Sequence, residues 1–279
     1  MLICVDGTGT AEGTTEDLLF GTKNRTANFA VEKAGSFVGM IYYGSHVPNR
    51  KYYQGPDLTG MGPNFVWPQT LCQQIIQFWR QGDRQIILTG YSRGAAIVIN
   101  TAAMLTDKPM PDGTYARVEA MFLFDAVARS ADIGRAQVIP SNVHFCYHAM
   151  RDDRAHSRWT FGHCGETMEG ADTFLVKRKF YTTHGGMGGT PWGEKGLPDF
   201  TKDKLAPNEQ AARARRIDQR YLRGGPKLDG SDLNSWVLSN ECIYEFPDGA
   251  TKVTVAQEKA GSDAVHAWMS PFLHKHRIL

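Results

Sequence analysis

Apolar residues along this chain gather into short β-branched runs, separated by stretches in which they recur at helical spacing. Leu2-Ile3-Cys4-Val5 is the first such run and stops at Asp6-Gly7-Thr8-Gly9. That is the pattern of a buried strand ending in a glycine-rich turn, with the chain start inside the fold. Ala27, Ala30, Val31, Ala34 and Val38 approach helical spacing over residues 26–39, and Met40-Ile41-Tyr42-Tyr43 then reads as a second strand. Residues 44–68 are rich in Gly, Pro, Asn and aromatics, which predicts a long loop forming one wall of a pocket. Its aromatics Tyr52, Tyr53 and Trp67 either line that pocket as substrate contacts or fasten the loop to the body.

Leu71, Cys72, Ile75, Ile76 and Trp79 fall on one face of a helix predicted over 69–80, which Gln81-Gly82-Asp83 stops. A strand over 85–89 follows, then Gly90-Tyr91-Ser92-Arg93-Gly94, then a helix over 95–105 that is apolar almost all round. Further strands are expected at 120–124 and 144–148, each leading into an acidic turn, and at 174–181 ahead of Thr183-His184-Gly185-Gly186. Strands alternating with helices predict a three-layer α/β/α fold around a mostly parallel sheet, with ligands at the polar strand ends. Past residue 190 the pattern weakens: 208–223 reads as a basic helix, 233–238 as a short one, and the last forty residues are mixed. No linker separates them, and 279 residues is within reach of one α/β domain. The expectation is a single domain over 1–279, with its core at about 1–190 and a C-terminal elaboration over 191–279.

Charge excludes rather than identifies. The net charge of +2, from 31 basic and 29 acidic residues, provides no global field to attract nucleic acid. No apolar window is long enough for a membrane span and no secretory signal opens the chain, so no transmembrane segment and a cytoplasmic setting are expected, a reading compatible with signal-independent export. Cys4, Cys72, Cys146, Cys164 and Cys242 form an odd, scattered set, which argues for reduced thiols.

The chemistry concentrates in Gly90-Tyr91-Ser92-Arg93-Gly94. A G-x-S-x-G directly after a strand and directly before an apolar helix is the setting of a nucleophile elbow, in which glycines allow close chain approach and the serine sits exposed on a strained turn. A serine needs a histidine base and an acid to orient it, in the chain order Ser, acid, His. His184, in a glycine-rich turn after a late strand, is the favoured base and His163 its rival, whereas His266, His274 and His276 read as surface residues. Asp125 is favoured as the acid because it follows its strand immediately; Asp152 is the alternative, lying among Arg151, Arg154 and Arg158. Backbone N–H groups of Arg93 and of Gly7 or Thr8 are the expected oxyanion donors.

These blocks resemble the α/β-hydrolase-like domain shared by uncharacterised bacterial and fungal proteins and by one class of type VI secretion phospholipase effectors. Val5-Asp6-Gly7-Thr8-Gly9 is similar to its opening strand and turn, Tyr52-Tyr53-Gln54-Gly55-Pro56 to its Tyr-Gln-Gly loop, and Gly90-Tyr91-Ser92-Arg93-Gly94-Ala95 to its elbow. Asp125-Ala126-Val127 resembles its Asp-Thr-Val block, residues 149–154 its Asp-Glu-Arg block, and His184-Gly185-Gly186-Met187-Gly188-Gly189 its His-x-Asp-Val-Gly-Gly block. The resemblance covers about residues 1–190 and implies Ser92, Asp125 and His184 as the triad. Gly186 stands where the family usually has an aspartate and Ala126 where it has a threonine. The intervals between blocks are shorter than in the effectors, which weighs against a membrane-docking insertion.

Two other patterns bear on partners. His144, Cys146 and His148 alternate on one strand, with His156, His163 and Cys164 close behind; such residues more often pack against a helix than bind zinc, so neither a metal nor a cofactor is expected. The run Ala212-Arg213-Ala214-Arg215-Arg216 reads as a solvated helix face, with peripheral contact to anionic lipid as the alternative. The expected function is a serine esterase or lipase acting on a small-molecule or lipid ester through an acyl-enzyme. A phospholipase-type effector and a non-catalytic binding domain of the same shape are the alternatives.

Overall fold

The structure, a computed structural model, describes residues 1–7, 35–55, 68–127, 135–155, 163–190 and 253–279. Its elements in chain order are β1 (Leu2–Val5), α1 (Phe37–Gly44), β2 (Arg50–Tyr53), α2 (Pro68–Arg80), β3 (Ile86–Tyr91) and α3 (Arg93–Leu105). There follow β4 (Val118–Phe124), β5 (Val138–Ile139), β6 (Val143–Arg151), β7 (Thr167–Met168), β8 (Phe174–Phe180), α4 (His184–Met187) and α5 (Val255–Lys275).

Six strands form one sheet in the order β2-β1-β3-β4-β6-β8, and every neighbouring pair is parallel. Parallel neighbours need crossovers, and the helices that supply them cover both faces. On one face Leu71, Ile75 and Trp79 of α2 and residues 95–99, Ala102 and Leu105 of α3 pack with Ile3, Val5, Leu88 and Leu123. On the other, Phe37, Val38 and Ile41 of α1 and Val265, Met269 and Leu273 of α5 pack with Leu2, Phe122, Phe124 and Tyr147. The fold is therefore the expected three-layer α/β/α arrangement. Strand order reverses at β1, whose chain neighbours β2 and β3 lie on opposite sides of it. Open α/β sheets place their ligand sites at the carboxyl ends of the strands beside such a reversal.

Two local expectations are corrected. Met40-Ile41-Tyr42-Tyr43 is not a strand but the second half of α1. Ser36 caps that helix by accepting the Gly39 N–H at 2.9 Å, and Val38 and Ile41, three apart, share its buried face; a four-residue apolar run has no periodicity that separates helix from strand. The strand comes later, at Arg50–Tyr53, inside the expected loop, where it pairs residue by residue with β1 from Leu2↔Arg50 to Val5↔Tyr53. As an edge strand with polar residues it lacks the apolar alternation that marks strands in sequence. Residues 26–34, and Thr8 and Trp67 among the candidate site residues, lie outside the described residues.

The C-terminal region is corrected as well. Within the supposed elaboration, Val255–Lys275 form a 21-residue helix whose buried residues pack into the core on one sheet face. A capping box of Thr254 and Gln257 starts it, and its buried positions Val265, Met269 and Leu273 recur every four residues. Gly261, Ser262 and the internal Pro271 interrupt the usual sequence signal. His276, expected on the surface, is buried with Nε2 at 3.0 Å from the Tyr147 hydroxyl, while His266 and His274 are exposed as expected. The segments 208–223 and 233–238, including the basic run, lie outside the described residues. No helix among the described residues is long and apolar enough to cross a membrane.

The seating of α5 depends on Gly261, where a Cβ would lie 2.6 Å from both the Tyr181 carbonyl oxygen and the Thr182 Cβ. In a helix interior Gly→Ala ordinarily gains up to about 1 kcal/mol, but an overlap with fixed backbone costs about 1–3 kcal/mol. Gly261→Ala is therefore expected to lower the thermal midpoint rather than raise it, as differential scanning calorimetry would show.

Candidate active site

Register lines up the ends of three central strands: Tyr91 pairs with Phe124, and Phe124 with Ala149. The residues that follow those ends, Ser92, Asp125 and the strand-terminal Arg151, share one edge of the sheet. Ser92 stands between β3 and α3 with φ 57° and ψ −127°, a left-handed backbone that costs on the order of 1–3 kcal/mol for a residue with a side chain. The turn is held by its surroundings: the Ser92 N–H donates to the Phe124 carbonyl at 2.9 Å, and the Ser92 carbonyl accepts from Ala95 at 3.1 Å and Val127 at 3.3 Å. The motif's glycines are required by space. A Cβ at Gly90 would lie 2.6 Å from the Ala95 Cα, and one at Gly94 would lie 2.3 Å from the Asp6 carbonyl oxygen.

Ser92, His184 and Asp125 are joined by hydrogen bonds. His184 Nε2 is 2.8 Å from Ser92 Oγ, and its Nδ1 is 2.6 Å from Asp125 Oδ2. With the carboxylate accepting at Nδ1, the ring proton belongs there, and Nε2 is left to accept from the serine hydroxyl. His184 is the first residue of α4, which Thr183 caps by accepting the Gly186 N–H at 3.0 Å. The Tyr91 hydroxyl donates to the His184 carbonyl at 2.8 Å, and the two rings lie 5.0 Å apart. Tyr91 is a site residue that the sequence reading passed over, although it occupies the variable position just before the serine.

Asp125 has φ 45° and is wholly buried. Its Oδ1 accepts the Arg151 backbone N–H at 3.0 Å, and its Oδ2 accepts Arg151 Nη1 at 2.9 Å beside the His184 bond. Burial alone would push the Asp125 carboxyl up, but the Arg151 guanidinium and the His184 hydrogen bond outweigh it and hold the group well below the usual carboxylate range. Arg151 is thus a second missed residue; its only sequence signal was an arginine closing an apolar strand. Its Nη2 donates to His163 Nε2 at 3.3 Å, which places the rival base against Arg151 and not at Ser92. The alternative acid Asp152 does not reach His184. It accepts from the backbone N–H, Nε and Nη2 of Arg154, and those bonds bring its carboxyl down to about 2.

His148, buried behind this cluster, has both ring nitrogens engaged: Nε2 accepts the Ala126 N–H and Nδ1 donates to the Gly165 carbonyl, each at 3.2 Å. Burial pulls its pKa down to about 4. It therefore serves as a neutral brace for the Asp125-Ala126-Val127 turn, with no lone pair left for a metal.

The other candidates are placed as follows. Arg93 opens α3, so its N–H belongs to the helix end that carries positive partial charge. Gly7 adjoins the serine, since a Cβ there would lie 3.1 Å from the Ser92 Cβ. Its N–H, however, donates to Asp6 Oδ1 at 2.8 Å, and a donor already committed to a carboxylate does not serve as the expected oxyanion group. Tyr52 is not a pocket wall: it is buried, and its hydroxyl donates to Asp6 Oδ2 at 2.6 Å. Tyr53 is half-buried and packs against the α2 and α3 side of the core. Both aromatics fasten β2 to the body, the second of the two roles open to them.

The buried charge makes a sharp contrast in stability. Arg151→Met removes the cation that compensates Asp125 and is expected to cost about 3–5 kcal/mol, whereas Arg154→Met on the exposed Asp152 pair should stay within about 0.5 kcal/mol; urea denaturation compares them. For His148, the unfolded chain takes up a proton near the ordinary 6.5 while the folded protein resists until about 4. Stability is therefore full above 6.5 and falls by about 3 kcal/mol as pH drops through that window. His148→Gln, which keeps a donor and an acceptor without titrating, should flatten the dependence of the urea midpoint on pH there.

No family model matches the chain, and no curated protein matches it. Among solved structures it is similar to an uncharacterised protein from Pseudomonas aeruginosa, with 14% identity and a TM-score of 0.29, over 77% of this chain and 32% of that one. The chain thus spans about a third of that protein's length.

Proposed function

We propose that the chain is a serine hydrolase that cleaves carboxylic esters. The observation that carries this reading is the hydrogen-bonded series from Asp125 Oδ2 to His184 to Ser92 Oγ, at 2.6 and 2.8 Å, with the serine on a strained turn at a helix start. In the reaction Ser92 Oγ attacks the ester carbonyl while His184 Nε2 takes its proton, and Asp125 steadies the imidazolium so formed. The first-turn N–H of Arg93 faces the charge that grows on the carbonyl oxygen. Collapse of the tetrahedral adduct expels the alcohol, protonated by His184, and leaves an acyl-serine. Water, activated by the same histidine, then releases the acid and restores the serine. The four cysteines among the described residues form no disulfide, which supports action in a reducing compartment such as the cytoplasm.

The test is labelling with a fluorophosphonate together with hydrolysis of para-nitrophenyl esters of graded acyl length. The wild type should label and turn over, Ser92→Ala should do neither, and His184→Ala should lose nearly all turnover. Asp125→Asn should fall by about 10⁴-fold in kcat, and Asp152→Asn should match the wild type, with folding checked by circular dichroism. A folded wild type that neither labels nor hydrolyses any ester overturns the proposal.

A further inference from the structure

We infer that Glu258, on α5, is a positioning residue for His184, acting through the cap of the short helix that carries the histidine; the inference rests on the hydrolase reading above. A base that shuttles a proton must hold Nε2 to within about 0.5 Å of its productive place. Asp125 fixes the far side of the His184 ring, but the backbone under it is a four-residue helix, too short to hold itself. Its start is the Thr182-Thr183 pair, and both threonines bond to one residue, 76 and 75 positions onward. Thr183 Oγ1 donates to Glu258 Oε1, and Thr182 Oγ1 donates to the Glu258 carbonyl at 2.8 Å.

The direction of the first bond is what matters. A hydroxyl has one proton, so once Thr183 gives it to the Glu258 carboxylate, its lone pairs turn toward the Gly186 N–H, 3.0 Å away. The cap is thereby locked in its accepting orientation, and His184 directly follows it. Glu258 is itself buried, at 2% exposure, although burying a carboxylate is costly and an apolar residue there would pack without that cost. The approach has been cleared for it: a Cβ at Gly186 would lie 2.1 Å from Thr182 Oγ1 and 3.3 Å from the Glu258 Cγ. The helix beneath Glu258 is anchored separately by Val265, Met269 and Leu273 in the sheet face, so the carboxylate projects from a rigid element.

The experiment uses the full chain and reads the rate of fluorophosphonate labelling and kcat and KM on para-nitrophenyl butyrate, each corrected for the folded fraction. Glu258→Ala should lower kcat and labelling by about 10- to 100-fold with KM changed by less than about twofold. Glu258→Gln, which keeps an acceptor, should recover most of that loss. Thr183→Val should resemble Glu258→Ala while Thr183→Ser stays close to wild type, and the double variant should be no worse than the worse single one, since both act through one bond. If Glu258→Ala fails to fold, the Gln, Val and Ser variants decide the matter by the same pattern. The inference is overturned by an active wild type whose kcat survives Glu258→Ala or Thr183→Val, by a Gln variant as slow as Ala, or by losses that multiply in the double variant. A wild type that neither labels nor turns over overturns the hydrolase reading itself, a separate and recognisable result.

Discussion

A fully buried carboxylate that stays ionised is the constraint on which this structure turns. Asp125 is fully buried at the end of β4, where an unpaired charge would cost several kcal/mol after relaxation. Its compensation comes from three directions: the guanidinium and the backbone N–H of Arg151, which closes β6, and the ring of His184. Each partner is held in turn, His184 by Tyr91 and Arg151 by strand pairing with Phe180 of β8. Behind them His148 braces the turn that follows the aspartate. The strand ends are therefore not independent pieces of a site. They are mutually required, because displacing any one of them exposes the same buried charge.

A second carboxylate nearby is handled differently. Asp6, at the end of β1, is equally buried, but its donors among the described residues are neutral: the Ser36 hydroxyl at 2.5 Å, the Tyr52 hydroxyl at 2.6 Å and the Gly7 N–H at 2.8 Å. Burial outweighs those bonds and pushes its carboxyl up, the opposite of Asp125. Asp6 ties the first strand to the edge strand and to the N-cap of α1, so it serves the frame. The cation beside Asp125 is what separates a carboxylate held below its usual range from one that the same burial pushes up.

What could be read from the chain beforehand follows sequence distance. The strand, turn and helix around Ser92 were legible because every cue lies within about twenty residues and the glycines have a local steric reason. Asp125 and His184 were legible in outline, since strand ends and glycine-rich turns are local too, and chain order limited the choices. Tyr91 and Arg151 were present in plain view, but their roles depend on partners 93 and 26 residues away. Gly7 illustrates the converse: its position beside the serine was inferable, whereas the capture of its N–H by Asp6 depends on how one side chain turns. For α1 and β2, a short apolar run expected as a strand is a helix and a polar stretch expected as loop is the edge strand, because tertiary packing decides what such short segments become.

The placement of α5 has a consequence for the life of the chain. Translation proceeds at about 5–20 residues per second, so Ser92, Asp125 and His184 all leave the ribosome seconds before Gly261 and the buried stripe of Val265, Met269 and Leu273 that seals one face of the sheet. Until that helix docks, Tyr147 lacks the ring of Phe272 that stacks on it, and the Thr182-Thr183 pair ahead of the histidine lacks Glu258. The last helix to emerge thus both completes the cover of that sheet face and closes the hydrogen bonds behind His184.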